Sequence, residues 1–180
     1  MSSFNTPIDQ LVVAAIQSLV MTTLGLPMPQ VITAHENGVP MPLDDFVMIS
    51  HLSHKLYSTP HITYDNVSVE TVNQPMDYPF QLDFYGDGAS DKATTVQALF
   101  KTDVATTLFE AFGAANGLVI EPLYAEDANH TAITNEENQY EERWTVKVHV
   151  NVIFSIATVQ QFFANAPAVT IVNVPCTYHP

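Results

Sequence analysis

Cysteine occurs once in this chain, at Cys176, and arginine once, at Arg143. A lone cysteine forbids any intrachain disulfide, so the core must hold the fold, and a reducing compartment is the simple expectation. Beside Pro175, Cys176 reads as a small passive hydrophobe. Positive charge is equally scarce. Five Lys or Arg stand against nineteen Asp or Glu, a formal net charge of −14. All the bases fall between Lys55 and Lys147. A protein that grips nucleic acid needs several cations on one surface to neutralise phosphates. The count excludes phosphate clamping, and polybasic attachment to an anionic membrane with it. An acidic surface can still face DNA that slides past without being held.

Long apolar runs are missing too. The stretch from Leu11 to Leu26 is broken by Gln17, Ser18, Thr22 and Thr23. It falls short of the roughly 20 apolar residues that a membrane span needs. The start, Met1-Ser2-Ser3-Phe4-Asn5-Thr6, lacks the basic residues of a signal peptide. Without secretion the sequons at Asn66 and Asn129 carry no meaning. No G-x-S-x-G, Walker loop, H-E-x-x-H or C-x-x-C is present. Gly86-Asp87-Gly88 lacks the further glycine and the βαβ setting of a dinucleotide loop, and reads as a turn.

What is present indicates a folded domain. With 180 residues, 47% hydrophobic and 13% charged, the chain suits one domain spanning 1–180. From Trp144 to Phe154 the even positions are Trp, Val, Val, Val, Val and Phe, while Thr145, Lys147, His149 and Asn151 lie between. Strand side chains alternate between faces, so this is a long central strand with one apolar face and one polar, solvated face. Ile8, Leu11, Val12, Ala15, Ile16, Leu19 and Val20 recur at helical spacing behind a Thr6 cap and Pro7, and Gly25 closes the helix.

Between these lie weaker signals. Val31-Ile32-Thr33, 46–50 (extending as far as 57), 62–72, 80–85, 119–124 and 169–174 read as strands, with Gln81, Asp83 and Tyr85 opposite Phe80, Leu82 and Phe84. Helices are expected at about 90–100, from Thr102-Asp103 to a stop at Gly113, and at 155–165. Two long loops, 27–43 and 125–139, exceed simple connections. Strands with alternating faces and segregated helices argue an α+β fold, a mostly antiparallel sheet packed by helices.

The candidate chemistry is thin. His51 and His54, three apart on a strand, would sit on opposite faces and could not share a metal. The neighbouring carboxylates Asp44-Asp45 and Glu141-Glu142 diverge on an extended chain, where a general acid and base must converge, so they read as solvated loop ends. His149 has no nucleophile tied to it by spacing, and an exposed or inter-subunit histidine is the simpler reading. No catalytic, cofactor or metal site is expected.

Three segments resemble a known family. They are the segment Asn37-Gly38-Val39-Pro40-Met41-Pro42-Leu43-Asp44-Asp45-Phe46-Val47-Met48, then Ala93-Thr94-Thr95-Val96-Gln97-Ala98-Leu99-Phe100, and Pro122-Leu123-Tyr124-Ala125-Glu126-Asp127 through Tyr140-Glu141-Glu142-Arg143-Trp144. Gln160-Gln161-Phe162 adds a fourth match, while Ile133 to Gln139 departs from the glycine-containing turn of similar members. The chain resembles bacteriophage neck or tail terminator proteins over about 30–175. The resemblance implies a structural virion protein and not an enzyme, made in the host cytoplasm and placed at the head–tail junction. It further implies a hexameric ring that caps the tail tube and joins it to the head-side connector, with the sheath as a further neighbour. The genome would pass through without specific binding. On that reading Arg143 is a structural or inter-subunit ion-pair residue. Glu141, Glu142, Lys147, His149, Met41, Asp44 and Asp45 are candidate ring contacts. Another head–tail connector component, or a small-ligand or enzymatic α+β domain, stands as the alternative.

Overall fold

Helix α1 (Ile8–Leu24) forms where the sequence places seven apolar residues on one stripe, and Val12, Ala15, Ile16, Leu19 and Val20 are buried. It ends at Gly25, whose φ of 67° lies in the left-handed region that glycine reaches without a Cβ clash. The computed structural model describes residues 7–34, 42, 45–65, 69–131, 133–134 and 140–159, with backbone alone at 133, 134, 140, 141 and 159. The Thr6 cap, the strand expected at 169–174, the Gln160-Gln161-Phe162 match and Cys176 lie outside the described residues.

After a 3-10 turn at Met28–Gln30 come β1 (Val31–Thr33), β2 (Phe46–His51), β3 (Lys55–Leu56), β4 (His61–Tyr64) and β5 (Val69–Tyr85). Two helices follow, α2 (Ala89–Phe100) and α3 (Asp103–Asn116). The remaining strands are β6 (Val119–Ala125), β7 (Asn129–His130), β8 (Ile133–Thr134), β9 (Tyr140–Glu141) and β10 (Arg143–Val159). The main sheet runs β1-β2-β5-β10-β6, with β3 and β4 also on β5 and β7 also on β10. Only β1 and β2 among these pairs run parallel. The fold is therefore α+β: a mixed, largely antiparallel sheet against three helices.

The sheet is organised around two 17-residue strands, β5 and β10, paired from Arg143↔Tyr85 to Val159↔Val69. The even residues Val146, Val148, Val150 and Val152 are fully buried, as are Phe80, Leu82 and Phe84 opposite them. Phe100 and Phe109 of the helices meet edge-on at 6.0 Å in the same core. The helices cover this one face.

Several expectations are corrected. The two strands expected at 62–72 and 80–85 are a short β4 and one continuous β5. Pro75 and Pro79 lie inside the continuous strand, although proline cannot donate to a ladder. The Pro79 carbonyl accepts from Leu52 N at 3.1 Å, so its missing N–H faces the gap where the chain leaves the sheet between β2 and β3. Pro75, four residues earlier, faces the same edge at the gap between β3 and β4. Neither proline removes a ladder bond.

Helix α3 does not stop at Gly113 but at Gly117, which has φ 65°. Residues 155–159 continue β10, where a helix was expected; Ser155, Ile156, Ala157 and Thr158 pair with Asn73, Val72, Thr71 and Glu70. The expected loop 125–139 contains β7, paired to Trp144 and Thr145, and β8, paired to β9.

Candidate functional site on the outer sheet face

The face of β5 and β10 turned away from the helices carries Arg143, Thr145, Lys147, His149 and Asn151, with Asp83, Gln81 and Asp77 from the neighbouring strand. The sequence marks this face as polar and solvated, yet Asp83 is 0%, His149 6% and Asn151 8% exposed. The correction has a physical cause. The polar side chains close over one another and supply most of the partners that burial demands, His149 Nε2 excepted.

Asp83 is the best supplied. One of its oxygens accepts from Arg143 Nε at 3.1 Å and Thr145 Oγ1 at 2.6 Å, and Arg143 Nη2 lies 2.9 Å away. Its other oxygen accepts from Gln81 Nε2 at 2.8 Å. Arg143 also lies over the Tyr85 ring, 5.7 Å from its centroid, and Tyr85 stacks on Phe46 at 4.4 Å. Arg143 thus forms an ion pair within the chain.

Further along, Lys147 Nζ approaches Glu126 Oε2 at 3.6 Å. The His149 ring bonds Asp77 through Nδ1 at 2.9 Å and stacks on Tyr124 at 4.2 Å. Tyr57 donates to Asn151, whose amide donates to Glu121 at 3.2 Å. Burial, then the charges of Glu121 and Asp77, push the Tyr57 phenol up. Burial, then Asp77 and Glu126, does the same to Tyr124.

The other expected contact residues lie apart from this lattice. Asp45 pairs with Lys92 at 2.5 Å and accepts from the Asp87 amide at 3.0 Å. It fastens the turn before α2, where a free loop end was expected. The Lys92 hydrogen bond holds its carboxyl below the usual range, against a smaller opposing effect of burial. Glu142 accepts from Trp144 Nε1 at 2.8 Å. Met41 and Asp44 lie outside the described residues, and of Glu141 only the backbone is described, paired to Ile133.

His51 and His54 are not on opposite faces. The strand ends at His51, and both rings stack on Tyr78, at 5.3 and 5.6 Å. Among the described residues no group of three or more His, Cys, Asp or Glu is placed to hold a metal. His54 and Tyr78 line a cavity of about 420 Å³ with Ile8, Asp9, Met76 and Phe154. There burial, with the charge and hydrogen bond of Asp9, pushes the Tyr78 phenol up to about 12.

That shift has a consequence at high pH. A folded-state value above the ordinary 10 means the stabilisation is fully present below pH 10 and is lost as pH rises towards 12. Denaturant melts between those limits should show stability falling with pH. Tyr78→Phe should flatten the fall, and an unchanged slope in the variant would contradict the assignment.

Asp77 and Glu126 were not singled out from the sequence. Asp83 was placed on the polar side by its phase against Phe80, Leu82 and Phe84, but its partner lies 60 residues away. The register that joins them has no local signal.

No curated protein sequence matches the chain. Among the solved structures that it resembles are two at 14% identity. One is the cryo-EM sheath/tube terminator of the PVC extracellular contractile injection system in its extended state, with a TM-score of 0.47, covering 97% of this chain and 67% of that one. The other is from the virion of a native gene transfer agent particle, with a TM-score of 0.26, covering 79% and 98%. Neither likeness is strong enough to carry a functional conclusion. The sequence model of the phage neck terminator proteins, by contrast, matches residues 10–175, nearly the whole length, and the chain belongs to that family.

Proposed function

We propose that this protein is a subunit of a ring, of six copies, that caps the phage tail tube and joins it to the head-side connector. The observation that carries the reading is the family match across residues 10–175. On this reading the chain is a structural, non-catalytic virion component at the head–tail junction, assembled from subunits made in the host cytoplasm. Its partners are its own copies, the tail tube protein, the sheath and the connector. A net charge of −14 per subunit suits a lumen that DNA traverses without being held, and keeps free subunits soluble.

Glu142, Lys147 and Asp45, with Met41, Asp44 and Glu141 in the same segments, are the proposed contacts between copies or with neighbouring rings. Arg143 acts beside them as a positioning residue, since its guanidinium is engaged by Asp83. Buried His149 contributes through Glu126 rather than by touching a neighbour.

The test is the mass of the purified chain and its effect on tube growth. A six-copy particle that arrests polymerising tail tubes is the expected result. A monomer at micromolar concentration that leaves tube length unchanged would overturn the reading. Arg143→Ala should lower the fraction in the ring, seen by light scattering below its melting temperature; an unchanged mass would remove Arg143 from the assembly argument.

A further inference from the structure

The environment of His149 is asymmetric. Nδ1 lies 2.9 and 3.0 Å from the two Asp77 oxygens. A carboxylate only accepts, so the proton of a neutral ring sits on Nδ1 and Nε2 is left with a lone pair. Nε2 is buried and has no hydrogen-bond partner among the described residues, with Glu126 Oε1 3.5 Å away. In the neutral state an acceptor therefore faces an acceptor. A second proton would turn this contact into an ion pair.

We propose that His149 is a proton-dependent clasp, in which the imidazolium bridges Asp77 and Glu126 and fastens the segment after β6 to the outer sheet face. Glu126 is placed for this. Its amide donates to the Lys147 carbonyl at 2.8 Å, and its other carboxylate oxygen faces Lys147 Nζ at 3.6 Å. Three residues on, β7 pairs with Trp144 and Thr145, so a hold on Glu126 is a hold on the start of that strand.

The sequence builds the enclosure locally. Pro122 cannot donate to a ladder, and proline in a sheet interior is confined to edges and bulges. The register of β6 against β10 shifts between His149 and Val150, so that Pro122 faces Val150 and Tyr124 faces His149. The extra residue, Leu123, re-aims the strand. Tyr124 then lies flat on the imidazole, with 15° between the planes.

The charged and titratable groups around the ring come from four strands. Asp77 stands on β5 with Lys55 of β3 as its cross-strand partner, Glu121 and Tyr124 come from β6, and Lys147 from β10. Tyr57, after β3, reaches Asn151. Of these side-chain types, imidazole is the one that ordinarily changes charge between about pH 5 and 8. The clasp is independent of how many copies assemble.

Hydrogen exchange of residues 124–131, corrected for intrinsic rates, reads the clasp directly. Between about pH 8 and pH 5.5 protection should rise about threefold, within the range of a partly exposed ion pair. His149→Gln and Glu126→Gln should both abolish the rise, while His130→Gln should keep it, although His130 lies inside the segment. Glu126→Gln changes a surface side chain and keeps the test valid if His149→Gln misfolds. No rise in the parent, a rise that survives Glu126→Gln, or one lost in His130→Gln would each overturn the proposal.

Discussion

Asp83→Ala should be among the most destabilising single substitutions in this protein, at about 3–5 kcal/mol, the usual effect of removing one partner from a buried ion pair. Asp83 is fully buried and receives Arg143, Thr145 and Gln81. Truncation leaves a guanidinium, a hydroxyl and an amide without their acceptor. Arg143 is only partly exposed, its side chain 22% accessible, so water replaces the lost carboxylate incompletely. For a chain of this size each kcal/mol shifts the melting temperature by about 2–4 °C, so a drop on the order of 10 °C is expected. Asp83→Asn should cost less, because an amide oxygen can still accept while the charge is lost.

The same argument makes a second outcome specific. Replacing the ion pair and the hydroxyl with apolar side chains, Asp83→Leu with Arg143→Met and Thr145→Val, should recover most of the lost stability, since desolvation offsets much of a buried pair's attraction and the half-buried Gln81 amide can turn to water. If the triple variant melts as low as Asp83→Ala, the loss comes from shape at that position and not from stranded charge. If Asp83→Ala melts within a degree or two of the parent, the pair contributes little.

Legibility from sequence divides along physical lines. The alternation in β10 and the apolar stripe of α1 are local patterns, readable because backbone geometry alone decides which side chains share a face. The valines at 146, 148, 150 and 152 and the helix residues Val12, Ala15, Ile16, Leu19 and Val20 are all in the core. What eluded the sequence depends on a partner strand. Pro75 and Pro79 look like strand breakers until the gaps beside β3 are known. Ser155 to Thr158 look helical until their pairing with β5 supplies a ladder. The candidate site was only half legible for the same reason. Its polar residues were visible on β10, but Asp77, Asp83 and Glu126 arrive through register, and register decides whether a polar face is wet or closed.

Gly113 separates two readings of one residue and carries the other large expected effect. As a helix stop it would need the left-handed conformation, and alanine there would be strained. In the structure Gly117 takes that role and Gly113 is an ordinary helical residue. Helix propensity alone then predicts that Gly113→Ala stabilises by roughly 1 kcal/mol. Space predicts the opposite. A Cβ at Gly113 would lie 2.3 Å from the carbonyl oxygen of Leu118 and 3.6 Å from Ile120 Cγ2. The obstacle is backbone, and it is fixed from both sides. Leu118 N donates to the Gly113 carbonyl at 3.0 Å, closing the end of α3, and Ile120 is already in β6, paired to Val152. Relieving the overlap must either open that closure or push α3 off the sheet, where Phe109 is buried one turn earlier. Such overpacking costs about 1–3 kcal/mol, occasionally more. With a backbone atom as the obstacle the upper part of that range applies, so Gly113→Ala should destabilise by about 2 kcal/mol despite the propensity gain. Gly113→Val, bulkier and poorer in helices, should exceed it. Thermal melts of both variants decide the sign, and a higher melting temperature for Gly113→Ala would show that the α3–β6 turn yields without resistance.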